Sequence, residues 1–255
     1  MRNKVELAFR RKVRAVWLDQ GMALAAQDLP WEEAKLALAE AVAAENSGAE
    51  TIRKVLEHVR TIWFEPRDNC IALRSAALTL FRASSSADTC ILLNWGIAIA
   101  TYPFVGSVGE TLGRLLKLQH EVHRADLQRR LREQHGDRDF VGRITRYDVS
   151  SFLDWGIIKE TKKAGVYLPG KQLQATNAEQ LAWLAEAVLI SCGGTQMPFS
   201  QLCRHPIVFP VSVENLNSGV LRANPRLRVE RQSLNEECVS LRDPRPKHSP
   251  HGGEP

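Results

Sequence analysis

Residues 136–171 read GDRDFVGRITRYDVSSFLDWGIIKETKKAGVYLPGK, and this stretch decides the fold. Phe140, Ile144, Tyr147, Val149, Phe152 and Leu153 recur mostly at three- and four-residue intervals, which predicts an amphipathic helix with Arg143 and Arg146 on another face. Gly156 supplies the stop. Beyond it Ile157–Thr161 and Val166–Leu168 flank Lys162-Lys163-Ala164-Gly165, and Pro169-Gly170 breaks the second run, so the spacing predicts a β-hairpin with a basic tip.

Working upstream, apolar residues at Val108, Leu112, Leu115, Leu116 and Leu118 predict a helix over 108–122. Leu127 and Leu131 predict a second over 125–134, ended by Gly136. The order helix, helix, turn, helix, hairpin is that of a winged helix-turn-helix. Its charge fits nucleic acid: Arg114 to Arg146 holds nine Arg or Lys against five Asp or Glu, and the hairpin adds Lys159, Lys162, Lys163 and Lys171 against Glu160. Candidate DNA-binding residues are Arg129, Arg130, Arg138, Arg143, Arg146, Lys159, Lys162 and Lys163. A winged helix also serves as a protein-contact module, so an assembly scaffold is the competing expectation.

The first hundred residues predict helices. One face is Val5, Phe9, Val13, Val16 and Trp17, with Gly21 as an early end or kink. Pro30 with Glu32 and Glu33 opens a second helix to about Ala44. A third runs from Ile52 to Trp63 and closes at Pro66, a fourth covers Ile71 to Arg82, and a fifth starts near Thr89 with Asp88 as its cap. Trp17, Trp31, Trp63 and Trp95 lie at helical spacing and are expected in the core, not as a stacking platform for bases. After the hairpin a helix is expected from Asn177 to Ile190, then a short turn at Pro198. Ile207–Val213, Gly219–Arg222, Leu227–Gln232 and Cys238–Leu241 are expected as strands, the first at an edge because of Pro210.

The expected class is therefore mainly α. A helical domain covers 1–105, a winged helix-turn-helix 106–172, a C-terminal helix and small sheet 173–242, and a disordered tail 243–255.

Composition bounds the function. The chain has 255 residues, 44% hydrophobic and 25% charged, and a net charge of +5, which permits a polyanionic partner. The longest apolar run, Ile91 to Ala100, is too short to span a bilayer, and no secretory signal is evident, so a cytoplasmic protein without a membrane partner is expected. Five scattered cysteines without a Cys-x-x-Cys pair are expected to be reduced.

Catalytic and metal chemistry find no support. His120, His123 and His135 lack the spacing of a helical ligand pair, and adjacent Cys203-Arg204-His205 cannot face one another as nucleophile and base. Gly106, Gly109 and Gly113 follow no strand, unlike a phosphate-cradling loop. Asp137, Asp139, Asp148 and Asp154 lie among arginines, where they balance charge and cap helices. No enzyme, cofactor or metal is expected.

The helical N-terminal half, Tyr102-Pro103-Phe104, the basic winged-helix centre and His205-Pro-x-x-Phe-Pro210 together resemble the BrxA-type small inner protein of BREX phage-defence systems, over about residues 5–241. The resemblance implies a compact, non-enzymatic, double-stranded-DNA-binding component of a bacterial defence locus, with other proteins of a defence complex as further partners.

Overall fold

The computed structural model describes residues 8–45, 48–136, 139–194, 196–232 and 236–242. It is mainly helical, with eleven α-helices and two small antiparallel sheets among the described residues. The expected tail 243–255 lies outside them.

The N-terminal face departs from expectation. Residues 8–14 are not helical, and α1 starts only at Ala15 and runs to Ala26. Tertiary hydrogen bonds override the helical spacing: the Val13 N–H donates to Ser151 Oγ at 2.8 Å, and Trp155 Nε1 donates to the Val13 carbonyl at 2.9 Å. Ala15 N–H donates to Asp154 Oδ1 at 2.9 Å, so that carboxylate caps the new helix start. Val16, expected inside, is exposed. Gly21 neither ends nor kinks α1; a β-carbon there would lie 2.4 Å from Val59 Cγ1, so it is a close-packing glycine.

The next helices follow the sequence pattern. They are α2 (Trp31–Ala43), α3 (Ala49–Val59) continued by a π-helical turn (Arg60–Phe64), α4 (Ile71–Ala83) and α5 (Ala87–Thr101). Ser86, not Asp88, caps α5 by accepting from the Thr89 N–H, which frees Asp88 to bind Lys171 and the Gln174 N–H. From Leu92 to Thr101 every α5 residue is buried, as expected of a helix that α1, α4, α6 and α9 (Ala178–Ser191) surround. Trp17, Trp31, Trp63 and Trp95 all sit in the core.

α6 spans Pro103–Gln119, shorter at its end than expected, because His120 turns the chain at φ +61° and Val122–His123 form a strand, β1. Then come α7 (Arg124–His135), α8 (Asp139–Asp154), β2 (Ile158–Glu160) and β3 (Val166–Pro169). The strand order is β1-β3-β2, with Tyr167 opposite both Val122 and Glu160. α8 ends in a Schellman motif: the Ile157 N–H donates to the Phe152 carbonyl, the Gly156 N–H to that of Leu153, and Gly156 takes φ +70°.

The C-terminal segment packs back on the helical half. Asn177 caps α9 through the Gln180 N–H, while Gln180 Oε1 accepts from the Thr176 N–H. Two expected strands are replaced. Ile207–Val213 instead holds the end of a 3-10 turn (Pro206–Val208) and a single bridge from Val211 to Leu173, because Pro206 precedes the run and Pro210 interrupts it. Gly219–Arg222 lies in α11 (Ser218–Ala223), which Asn217 caps at Val220. A second sheet, β4 (Met197–Pro198), β6 (Glu237–Leu241) and β5 (Leu227–Arg231), closes over α10 (Phe199–Cys203) and α11.

α6 presents a glycine face to its neighbours. β-Carbons at Gly106, Gly109 and Gly113 would fall 2.6 Å from Ser191 Oγ, 2.6 Å from the Trp95 ring and 2.0 Å from the Pro206 carbonyl oxygen. The last neighbour is backbone and cannot rotate away. Gly113→Ala should therefore destabilise the fold by about 1–3 kcal/mol or more in urea titration. A variant as stable as the parent would mean that the 206–208 turn is not held against α6.

Candidate nucleic-acid interface

α8 buries Val141, Ile144, Val149 and Phe152 and leaves Arg143 and Arg146 exposed. The guanidinium of Arg143 lies over the Phe140 ring, 5.7 Å from its centroid. Among the described residues neither arginine has a carboxylate within ion-pair reach. Lys159 on β2 and Lys162 and Lys163 at the hairpin tip are exposed and equally uncompensated among those residues. The tip itself is well built: Gly165 adopts φ +78°, its N–H donates to Glu160 Oε1, and the Lys163 N–H donates to Thr161 Oγ1.

The α7 candidates differ. Arg129 pairs with Asp126 at 3.4 Å and Glu133 at 3.1 Å, and Arg130 pairs with Glu133 at 3.5 Å. These i,i+3 and i,i+4 pairs already neutralise much of the charge that α7 offers a partner. Arg138 lies outside the described residues.

Several basic or polar residues at this surface were not among the sequence candidates. Arg11, on the non-helical N-terminal segment, reaches α8: its Nη1 donates to Tyr147 Oη at 3.3 Å and its guanidinium sits 5.6 Å from that ring's centroid. Arg124, the first residue of α7, donates from Nε to Tyr167 Oη at 3.0 Å. Arg124, Gln128, Arg146, Ser150, Glu160 and Tyr167 line one cleft of about 250 Å³ between α7, α8 and the hairpin. Basic character alone identifies Arg11 and Arg124; their placement depends on a tertiary docking and on the β1–β3 pairing.

Two buried ionisable groups lie beside the N-terminal segment, His58 on α3 and Asp148 on α8. His58 accepts the Arg10 N–H on Nε2 at 3.0 Å, and its Nδ1 lies 3.0 Å from Tyr102 Oη, an arrangement that suits the neutral ring. Burial, reinforced by Arg10 and Lys54, lowers its pKa from 6.5 to about 3. Asp148 is fully buried on α8, and neither carboxyl oxygen has a hydrogen-bond partner among the described residues. Burial raises its pKa well above the ordinary carboxylate value; the nearby Phe9 N–H opposes the shift without meeting hydrogen-bond geometry.

The nearest cysteine–histidine pair is Cys192 Sγ and His205 Nε2, at 3.6 Å, beside a cavity of about 480 Å³. His205 Nδ1 accepts from the Ile207 N–H, which leaves the ring proton on Nε2, facing the thiol instead of withdrawing its proton. Burial and the charge of Glu110 push that thiol up to about 11. Among the described residues no group of three His, Cys, Asp or Glu could hold a metal ion, and none of the five cysteines is in a disulfide. Asp154 serves the fold, pairing with Lys12 and Arg14. No single helix among these residues is long and apolar enough to cross a membrane.

Comparison of the chain with protein-family models, curated proteins and solved structures finds no match.

Two titrations act in opposite directions. The unfolded imidazole of His58 protonates near 6.5 but the folded one only near 3, so its contribution to stability is full above 6.5 and is lost as pH falls through that window. Asp148, raised in the folded state, contributes most below about pH 4 and progressively less as pH rises. Asp148→Asn should therefore gain on the parent in thermal melts as pH increases from about 4.5 to about 8. A melting difference that does not change with pH would show that the Asp148 carboxyl ionises alike in both states.

Proposed function

We propose that residues 103–169 form a winged helix-turn-helix, with α8 as recognition helix and the β2–β3 hairpin as wing. On this reading the protein is a non-enzymatic DNA-binding accessory or regulatory protein that contacts duplex DNA through the basic face of that unit. One observation carries it: helix, strand, helix, helix, strand, strand in this order, with β3 central, presents Arg143, Arg146, Lys159, Lys162 and Lys163 on adjoining elements with no carboxylate partner among the described residues. Uncompensated cations can neutralise phosphates and so release the counterions condensed on a nucleic acid, which drives binding. Resemblance to the BrxA-type small inner protein places this activity, as a proposal, within a bacterial phage-defence complex.

Lysines, compact charges on flexible stems, suit phosphates, whereas arginines on a helix can read base edges bidentately. Duplex binding followed by fluorescence anisotropy across a salt series tests the assignment. Arg143→Ala with Arg146→Ala should weaken a specific duplex and flatten the salt slope by about two if both touch phosphate. Lys162→Gln with Lys163→Gln should weaken specific and random duplexes by a similar factor. If both double variants bind as the parent does, the unit is not the interface. If the hairpin variant keeps DNA binding but loses protein partners from its own locus, the hairpin belongs to an assembly scaffold.

A further inference from the structure

The cleft between α7, α8 and the hairpin is rich in donors and poor in acceptors. Arg146 lines it without a carboxylate partner among the described residues. Arg124 lines it from the start of α7, held by its Nε–H to Tyr167 Oη. Tyr167 is only 2% exposed, and its hydroxyl, already an acceptor for Arg124, has no acceptor for its own proton among the described residues. Ser150 and Gln128 add a hydroxyl and an amide to the lining.

Glu160 is the one carboxylate in the lining, and its Oε1 is occupied. That oxygen takes the Gly165 N–H at 2.5 Å and stands 3.6 Å from Arg124 Nη2. Oε1 of Glu160 is thus engaged by the hairpin turn and by one edge of Arg124. The hydroxyl of a buried tyrosine, bonded to Arg124 and without an acceptor for its proton among the described residues, in a cleft that Arg146 also lines, calls for an anionic oxygen.

We propose that this cleft is a phosphate-binding notch, which seats one backbone phosphate of the nucleic-acid strand running between α8 and the hairpin. The assignment rests on the reading of that unit as the DNA-facing one. Tyr167 and Arg146 would donate to the phosphate oxygens, and Arg124, positioned by Tyr167, would supply the second charge. A volume of about 250 Å³ accommodates a phosphate diester group with bridging water.

Two variants separate this notch from the rest of the surface. Tyr167→Phe removes only the hydroxyl, and Arg146→Gln removes a charge from an exposed position. In duplex titrations Arg146→Gln should lose about tenfold in affinity and flatten the salt slope by about one, whereas Tyr167→Phe should lose affinity by several-fold with the slope unchanged. Should Tyr167→Phe melt early, Arg124→Gln takes its place, because Arg146 also lies on the proposed recognition helix whereas Arg124 belongs to the notch alone. If both variants bind as the parent does while Lys162→Gln with Lys163→Gln loses affinity, the notch is refuted and the DNA reading stands. If the parent itself does not bind duplex, that reading fails, and a titration with inorganic phosphate followed by the arginine Nε–Hε signals decides the notch. Saturable shifts at Arg124 and Arg146 that Tyr167→Phe abolishes would support it. Weak, non-saturating shifts indifferent to that substitution would overturn it.

Discussion

The closeness with which α6 can be approached governs the architecture. Its glycines let the Trp95 ring and the Pro206 carbonyl reach the helix backbone, at distances where any side chain would collide. Trp95 in turn donates its indole N–H to the Ile207 carbonyl at 3.2 Å, so α5, α6 and the 206–208 turn are locked by one contact set. α6 also packs on α7, α8 and β1. One helix therefore ties the core of the helical half to the base of the basic unit, and the orientation of α8 is inherited from packing that has no contact with a ligand.

A second tie comes from the start of the described chain. Phe9 makes edge contacts with His58, Tyr102 and Trp155, with centroids 5.3, 5.2 and 6.0 Å away. The backbone around it is held by Ser151 and Trp155 of the α8 end and by His58 of α3. His58 can accept the Arg10 N–H only while Nε2 is unprotonated. The α8 surface is thus bordered by a strap that rests at Phe9 and Arg10 on aromatic rings and a neutral imidazole, while Lys12 and Arg14 pair with the Asp154 carboxylate at its other end.

What was legible in the sequence was whatever local spacing controls. α8, its Gly156 stop and the hairpin follow from a strong 3.6-residue period and from glycines at φ +70° and +78°. The readings that failed were those in which tertiary bonds or proline outweigh local preference. Residues 8–14 have helical spacing yet spend N–H groups on His58 and on Ser151 of α8; Ile207–Val213 has strand composition yet follows Pro206 and is interrupted by Pro210; Gly219–Arg222 follows an Asn217 cap that marks a helix start. β1 is two residues long and leaves no periodic signal at all. The candidate site was legible as a set of arginines and lysines but not as a geometry, because Arg124 and Tyr167 meet only through the β1–β3 pairing.

Counting cations therefore misjudges this surface, and pairing sorts it. α7 carries Arg129 and Arg130, but Asp126 and Glu133 sit one helical turn away on the same helix, so their field falls off as a dipole's does. α8 carries Arg143 and Arg146 on a helix where two of three acids have been taken inward: Asp148 is buried, and Asp154 is turned to Lys12, Arg14 and the α1 start, while the exposed Asp139 at the helix start makes no ion pair with either arginine among the described residues. On the hairpin, Glu160 is bent back to the turn N–H of Gly165. In each case folding, not composition, removes the negative partner and leaves the positive one facing solvent. At an ionic strength where fields decay over about 8 Å, only such locally unbalanced groups act on a partner beyond the first layer of water.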